Sequence, residues 1–166
     1  MSKEANLVEA YRRSRRDFIA LCRKAGADTI ARVHPAPGPD GKPLFCDSAA
    51  FGPRDAKRGV LLLGEDAPRV WLIAGAVLPP ETRLVVVHAL DPFARAWGKA
   101  GNPPDWPQNT LKAIAGEDLS RVRTLTVLGG SARSLKPALS AALPHVPLVF
   151  QRPATDAAIL AAIAGL

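Results

Sequence analysis

The chain has 166 residues, 48% of them hydrophobic, and 22 Lys+Arg against 15 Asp+Glu, a formal net charge of +7. That length suits one domain over residues 1–166 with a core of its own, and 16 Pro with 13 Gly fall short of a low-complexity composition. No apolar run approaches the ~20 residues that cross a bilayer, and the opening MSKEANLVEAYRRSRR lacks the hydrophobic region of a signal peptide, so a cytoplasmic protein without membrane attachment is expected.

In chain order, residues 3–24 predict an amphipathic helix closed by Gly26 as its C-terminal cap. Val8, Tyr11, Arg15, Phe18, Cys22 and Ala25 recur at spacings of three and four, a mostly apolar stripe opposite Arg12, Arg13 and Arg16. Residues 28–34 read as a strand that ends at His34 before the turn PAPGPDG, and residues 44–49 (LFCDSA) as its antiparallel partner. After the turn Gly52-Pro53-Arg54-Asp55, the run GVLLLG at 59–64 is a continuous apolar segment between glycines, the pattern of a strand buried on both faces. Residues 84–90 (LVVVHAL) and 125–130 (LTVLGG) repeat that pattern, and 147–150 (PLVF) adds a further strand. Helices are predicted over 70–77, 109–115, 135–143 and 156–163. Strands alternating with helices give a single α/β domain: a largely parallel central sheet, an antiparallel N-terminal strand pair, and helices on both faces.

The charge is uneven: residues 1–33 hold eight Lys/Arg and four acids. This reads first as the solvated face of the first helix. No aromatic residues alternate with the basic ones to stack bases, and no nucleic-acid motif is present, so binding of nucleic acid or another polyanion through this helix is the lesser reading. Cys22 and Cys46 lack a Cys-x-x-Cys spacing and read as buried structural thiols. His34, His88 and His145 form no zinc-ligand pair, and His88, inside an apolar strand, reads as a hydrogen-bonded interior residue. Whether the three histidines meet in space is open at this level. Glu65 and Asp66 follow one central strand and Asp91 another, at the carboxyl ends where open α/β sheets hold their ligands. With His88 they are the groups that a catalytic site would use. Gly129-Gly130-Ser131 links a strand to a helix and offers backbone N–H groups to an anion, though it is neither a P-loop nor a Gly-x-Ser-x-Gly elbow.

Several blocks together resemble one family. They are Tyr11-Arg12-Arg13-Ser14-Arg15-Arg16-Asp17-Phe18, His34-Pro35, Gly38-Pro39-Asp40-Gly41, Phe51-Gly52-Pro53-Arg54-Asp55-Ala56, Leu78-Pro79-Pro80-Glu81-Thr82, Val87-His88-Ala89-Leu90-Asp91-Pro92-Phe93 and Ala96-Trp97. In this order they resemble an uncharacterised bacterial branch of the zinc-carboxypeptidase-like superfamily. The resemblance implies a zinc held by a His-x-x-Glu pair after a central strand and by a later histidine, with one position open for water. Where the pair belongs, this chain has Glu65-Asp66-Ala67-Pro68-Arg69, with Asp66 and Arg69 nearest the ligand positions; where the later histidine belongs it has Gly129-Gly130. The Asn-Arg segment implied after Trp97 is replaced by Gly98-Lys99-Ala100-Gly101-Asn102, and the C-terminal portion with the catalytic glutamate is not recognisable.

The expectation is therefore a shortened, non-catalytic relative of zinc carboxypeptidases that binds or assembles, with no metal and no cofactor. Homodimerisation is expected if shortening uncovers apolar surface. The competing expectations are an enzyme of non-zinc chemistry built on Glu65, Asp66, His88 and Asp91, and polyanion binding by the first helix.

Overall fold

The structure, a computed structural model, describes residues 3–37, 43–63, 78–88, 119–128, 132–151 and 155–165. Helix α1 (Lys3–Lys24) leads into strands β1 (Thr29–Pro37), β2 (Pro43–Phe51), β3 (Arg58–Leu63) and β4 (Thr82–His88). A 3-10 turn at Leu119–Arg121 precedes β5 (Thr124–Leu128), followed by α2 (Ala132–Ala142), β6 (Leu148–Gln151) and α3 (Asp156–Ala164). The predicted helices over 70–77 and 109–115 lie outside the described residues.

The strands form a six-stranded sheet in the order β1-β2-β4-β3-β5-β6. β4, β3, β5 and β6 are mutually parallel, and β2 is antiparallel to both β1 and β4. β2 is thus the strand that runs against the rest. The predicted architecture holds: a mixed, mostly parallel sheet with an antiparallel N-terminal pair. Two boundaries differ from the sequence reading. β1 continues past His34 through Pro35 to Pro37, with a register irregularity between Val33 and Ala36. As the outermost strand it tolerates prolines, which lack the N–H a central strand needs. α2 begins at Ala132, three residues earlier than the apolar pattern indicated.

Because successive strand residues face opposite sides, the register separates two cores. Leu61, Val85, Val87, Leu125 and Val127 bury one face together with Leu139 of α2. Val60, Leu62, Leu84, Val86 and Leu128 bury the other, with Phe18 and Cys22 of α1 and Ile163 of α3. This is why the central strands read as unbroken apolar runs: neither face meets water. Helices therefore cover both sides of the sheet, as predicted.

The helix ends follow local chemistry. After α1, the Gly26 N–H bonds the Arg23 carbonyl at 3.2 Å and the Ala27 N–H bonds the Cys22 carbonyl at 3.0 Å. This is the Schellman arrangement, made possible by φ +85° at Gly26. Ala25, placed on the apolar stripe by spacing, is exposed because the helix has already ended. At α3, the Thr155 hydroxyl accepts from the Ala158 N–H at 3.1 Å. Gly52, at φ +93°, is held more tightly than Gly26: a Cβ there would lie 2.4 Å from the Thr82 carbonyl oxygen, whereas a Cβ at Gly26 meets nothing within 4 Å. Gly26→Ala is expected to cost about 1 kcal/mol, the conformational penalty alone. Gly52→Ala, which adds a backbone collision, is expected to cost on the order of 3 kcal/mol. Urea midpoints of the two variants check the ranking.

Candidate functional site

The crossover geometry marks where a ligand would sit in such a sheet. The chain leaves β3 for β4 on one side and returns to β5 on the other, so the neighbours β3 and β5 continue in opposite directions. A crevice at the carboxyl ends of the strands forms at such a switch point. Glu65, Asp66, Asp91, Gly129, Gly130 and Ser131 all lie outside the described residues. Of the candidate groups only His88, the last residue of β4, is described with its side chain.

His88 is 1% exposed. Its Nε2 lies 2.9 Å from the Ser14 hydroxyl of α1. The rings of Tyr11 and Phe18, one helical turn before Ser14 and one after, lie against the imidazole with centroid separations of 5.1 and 5.3 Å. Directly across the strand pair, in register with His88, is Asp47 of β2, 1% exposed. Asp47 forms an ion pair with the Arg15 Nε, and Arg15 Nη2 adds a contact of 3.4 Å to the other carboxylate oxygen. Ser14, Arg15, Asp47 and His88 thus make one polar cluster between α1 and the sheet, beside Phe18 and Cys22. Burial, and secondarily the Arg15 charge, push the His88 pKa down to about 4. Burial and then Asp47 push the Cys22 thiol up to about 12. At neutral pH the imidazole and the thiol are both uncharged.

The cluster contains serine, histidine and aspartate, but its wiring is not that of a nucleophile relay. A triad needs the acid to orient the imidazole and the serine to reach a substrate. Here Asp47 pairs with a guanidinium, the imidazole is clamped by two rings, and almost none of it meets solvent. The reading of His88 as a hydrogen-bonded interior residue matches this position. Arg15 and Ser14 were not among the residues the sequence singled out for chemistry. The available signal was a charged residue in the middle of an apolar stripe, which requires a partner inside the fold.

His145 does not join this cluster. His145 is exposed and lies before β6, at the amino edge of the sheet, whereas His88 ends β4 at the carboxyl edge. His34 lies on the outer strand β1. Cys46 is in β2 with its side chain outside the described set. Among the described residues no group of three His, Cys, Asp or Glu side chains has metal-site geometry, and no helix is long and apolar enough to cross a membrane.

At the amino edge a second charged contact ties the same elements together. Arg83, 4% exposed, donates to both carboxylate oxygens of Asp28 at 2.9 and 3.0 Å, and to the Gly52 carbonyl at 2.8 Å. Partial burial acts upward on Asp28 but is outweighed by the Arg83 hydrogen bonds and charge, with Thr29 and Arg54 assisting, so its pKa is lowered. A cavity of about 520 Å³ lies nearby, lined by Gly26, Phe51, Leu78, Pro79, Pro80 and Leu84 among others.

Residues 8–105 match a family described as "Protein of unknown function (DUF2817)". The chain belongs to the DUF2817 family. No curated protein sequence matches it. Among solved structures, LapA of Legionella pneumophila is similar with TM-score 0.41 and 10% identity, over 90% of this chain and 50% of that one. Porphyromonas gingivalis glutaminyl cyclase is similar with TM-score 0.43 and 14% identity, over 90% of this chain and 70% of that one. A haloalkane dehalogenase loop variant from Bradyrhizobium elkanii is similar with TM-score 0.42 and 18% identity, over 74% and 40%. The DUF2817 chain spans about half the length of LapA. Likenesses of this size concern backbone shape and assign no activity.

His88 makes stability depend on pH. Its folded pKa, about 4, lies below the ordinary histidine value of 6.5, so the unfolded chain takes up the proton first as pH falls. Stability is full above about pH 6.5 and is lost progressively toward pH 4, by as much as about 3 kcal/mol. Asp28, whose folded pKa is lowered, loses its contribution only below its ordinary value of 3.8, so the two windows separate. The urea midpoint of the parent protein is expected to fall between pH 6.5 and 4.5. That of His88→Gln should be lower at neutral pH and nearly flat over the same interval.

Proposed function

We propose that this DUF2817 chain is a non-catalytic relative of the zinc carboxypeptidases that acts by binding another molecule. The observation that carries the reading is the cover over His88. The one candidate catalytic group described with its side chain is 1% exposed, hydrogen-bonded to Ser14 and sandwiched by aromatic rings. It is an element of packing between α1 and β4, and its lowered pKa makes it a weak base.

The residues at the ligand positions implied by the resemblance do not fit zinc. Arg69 stands at one of them, and a guanidinium remains protonated and has no lone pair to donate. β5 ends at Leu128 and the chain continues with Gly129-Gly130, which supply no imidazole. Asp66 alone is a weak substitute for a three-residue donor set. The competing reading, an enzyme of other chemistry using Glu65, Asp66, His88 and Asp91, requires His88 to reach a substrate, and its burial under α1 weighs against that.

Metal analysis of protein purified without chelator tests the proposal. Zinc well below stoichiometric amounts is the expected result, with no peptidase activity gained on adding zinc. Tightly held stoichiometric zinc that survives dialysis would overturn it.

A further inference from the structure

The cavity of about 520 Å³ at the amino edge of the sheet opens where α1 ends, β2 ends and β4 begins. Its apolar floor holds the cross-strand pair Phe51 and Leu84, both buried, and Leu78 and Pro79 extend it along the approach to β4. Such a volume suits a small organic molecule. Among the described lining residues the charged side chain is that of Glu81. Its backbone has φ +57°, in the left-handed region that a residue with a Cβ enters at a cost and glycine enters freely. The turn is held in that shape: the Thr82 hydroxyl donates to the Pro80 carbonyl at 3.3 Å, and the Arg58 N–H to the Glu81 carbonyl at 3.3 Å. A carboxylate is thus kept where glycine would fit the backbone better. Strain retained at the lip of a cavity points to a use for the side chain.

We propose that this cavity binds a small organic cation, its ammonium set against the Glu81 carboxylate and its compact apolar body over Phe51, Leu84 and Leu78. Lys57 is the competitor for that carboxylate. It stands 3.8 Å away with both side chains more than half exposed, a weak pair that a bound ammonium can replace. Arg83 is committed to Asp28 and the Gly52 carbonyl, and Arg54 donates to the Thr29 hydroxyl at 3.1 Å. Ala25 and Gly26, which also line the cavity, follow the negative end of the 22-residue α1, an influence partly offset by Arg23 and Lys24 in its last turn. With Arg58 also exposed, this edge carries more cations than its acids Asp28, Asp55 and Glu81. Long-range attraction therefore does not select the ligand; the contact at Glu81 does. The inference goes beyond the binding role proposed above and stands apart from the zinc reading, since metal content and amine binding are separate measurements.

Titration of isotope-labelled protein with cyclohexylmethylamine at neutral pH, followed by amide chemical shifts, tests it. Cyclohexanemethanol and cyclohexanecarboxylate serve as matched neutral and anionic probes. The amine should give saturable shifts at Gly26, Gly52 and Glu81 with a Kd on the order of 1 mM, as suits so small a ligand. The other two probes should bind at least about fivefold more weakly. Glu81→Gln should weaken the amine by about fivefold or more and erase its lead over the alcohol. Lys57→Ala, which removes the competing cation, should tighten amine binding by about twofold. Glu81→Gly separates use from architecture. It should lose amine binding as Glu81→Gln does, while its urea midpoint stays level or rises, because glycine relieves the left-handed backbone. The proposal is overturned by no saturable shifts at these amides, by carboxylate binding as tight as amine binding, by unchanged amine affinity in Glu81→Gln, by weaker amine binding in Lys57→Ala, or by a Glu81→Gly variant that loses stability along with binding.

Discussion

A guanidinium on α1 and a carboxylate on β2, both nearly out of water, govern how the helix lies on the sheet. Neither charge is tolerable there alone, because an unpaired buried ion costs several kcal/mol. Arg15 and Asp47 therefore have to meet, and Asp47 sits in register with His88. Once α1 is placed by that pair, Ser14 falls over the imidazole and Tyr11 and Phe18 over its ring. Arg83 repeats the device at the other end of β4: it grips Asp28 at the entry to β1 and the carbonyl of Gly52 after β2. The helix is tied both in its middle and just past its end, each time to the antiparallel part of the sheet.

The two edges of the sheet consequently differ in chemistry. At the carboxyl end of β4, Ser14, Arg15, Asp47 and His88 lie against one another, with aromatic rings over the imidazole. At the amino end Arg54, Lys57, Arg58, Arg121 and Arg123 are exposed, alongside the acids Asp28, Asp55 and Glu81.

Much of the fold was legible because the central strands are apolar on both faces and the first helix has a clean three-four spacing. The α1 bounds, Lys3–Lys24, coincide with those read from the sequence. The end of β1 was misplaced because proline normally stops a strand, and nothing local says that this one is outermost. The cluster around His88 was only partly legible. His88 was visible as a polar residue in an apolar strand, but Ser14 is 74 residues away from it and Asp47 is 32 from Arg15. Pairings at such separations are set by strand order, which no window of periodicity contains.

The prolines of β1 limit how this sheet can grow. Pro35 and Pro37 remove two N–H groups from the last three residues of the strand, and the register is already broken between Val33 and Ala36. A further strand laid along that flank would find an incomplete ladder. β6, at the opposite flank, is four residues long and contains no proline. Among the described residues, then, the sheet is blunted on the β1 flank by its prolines, and the β6 flank carries no such block.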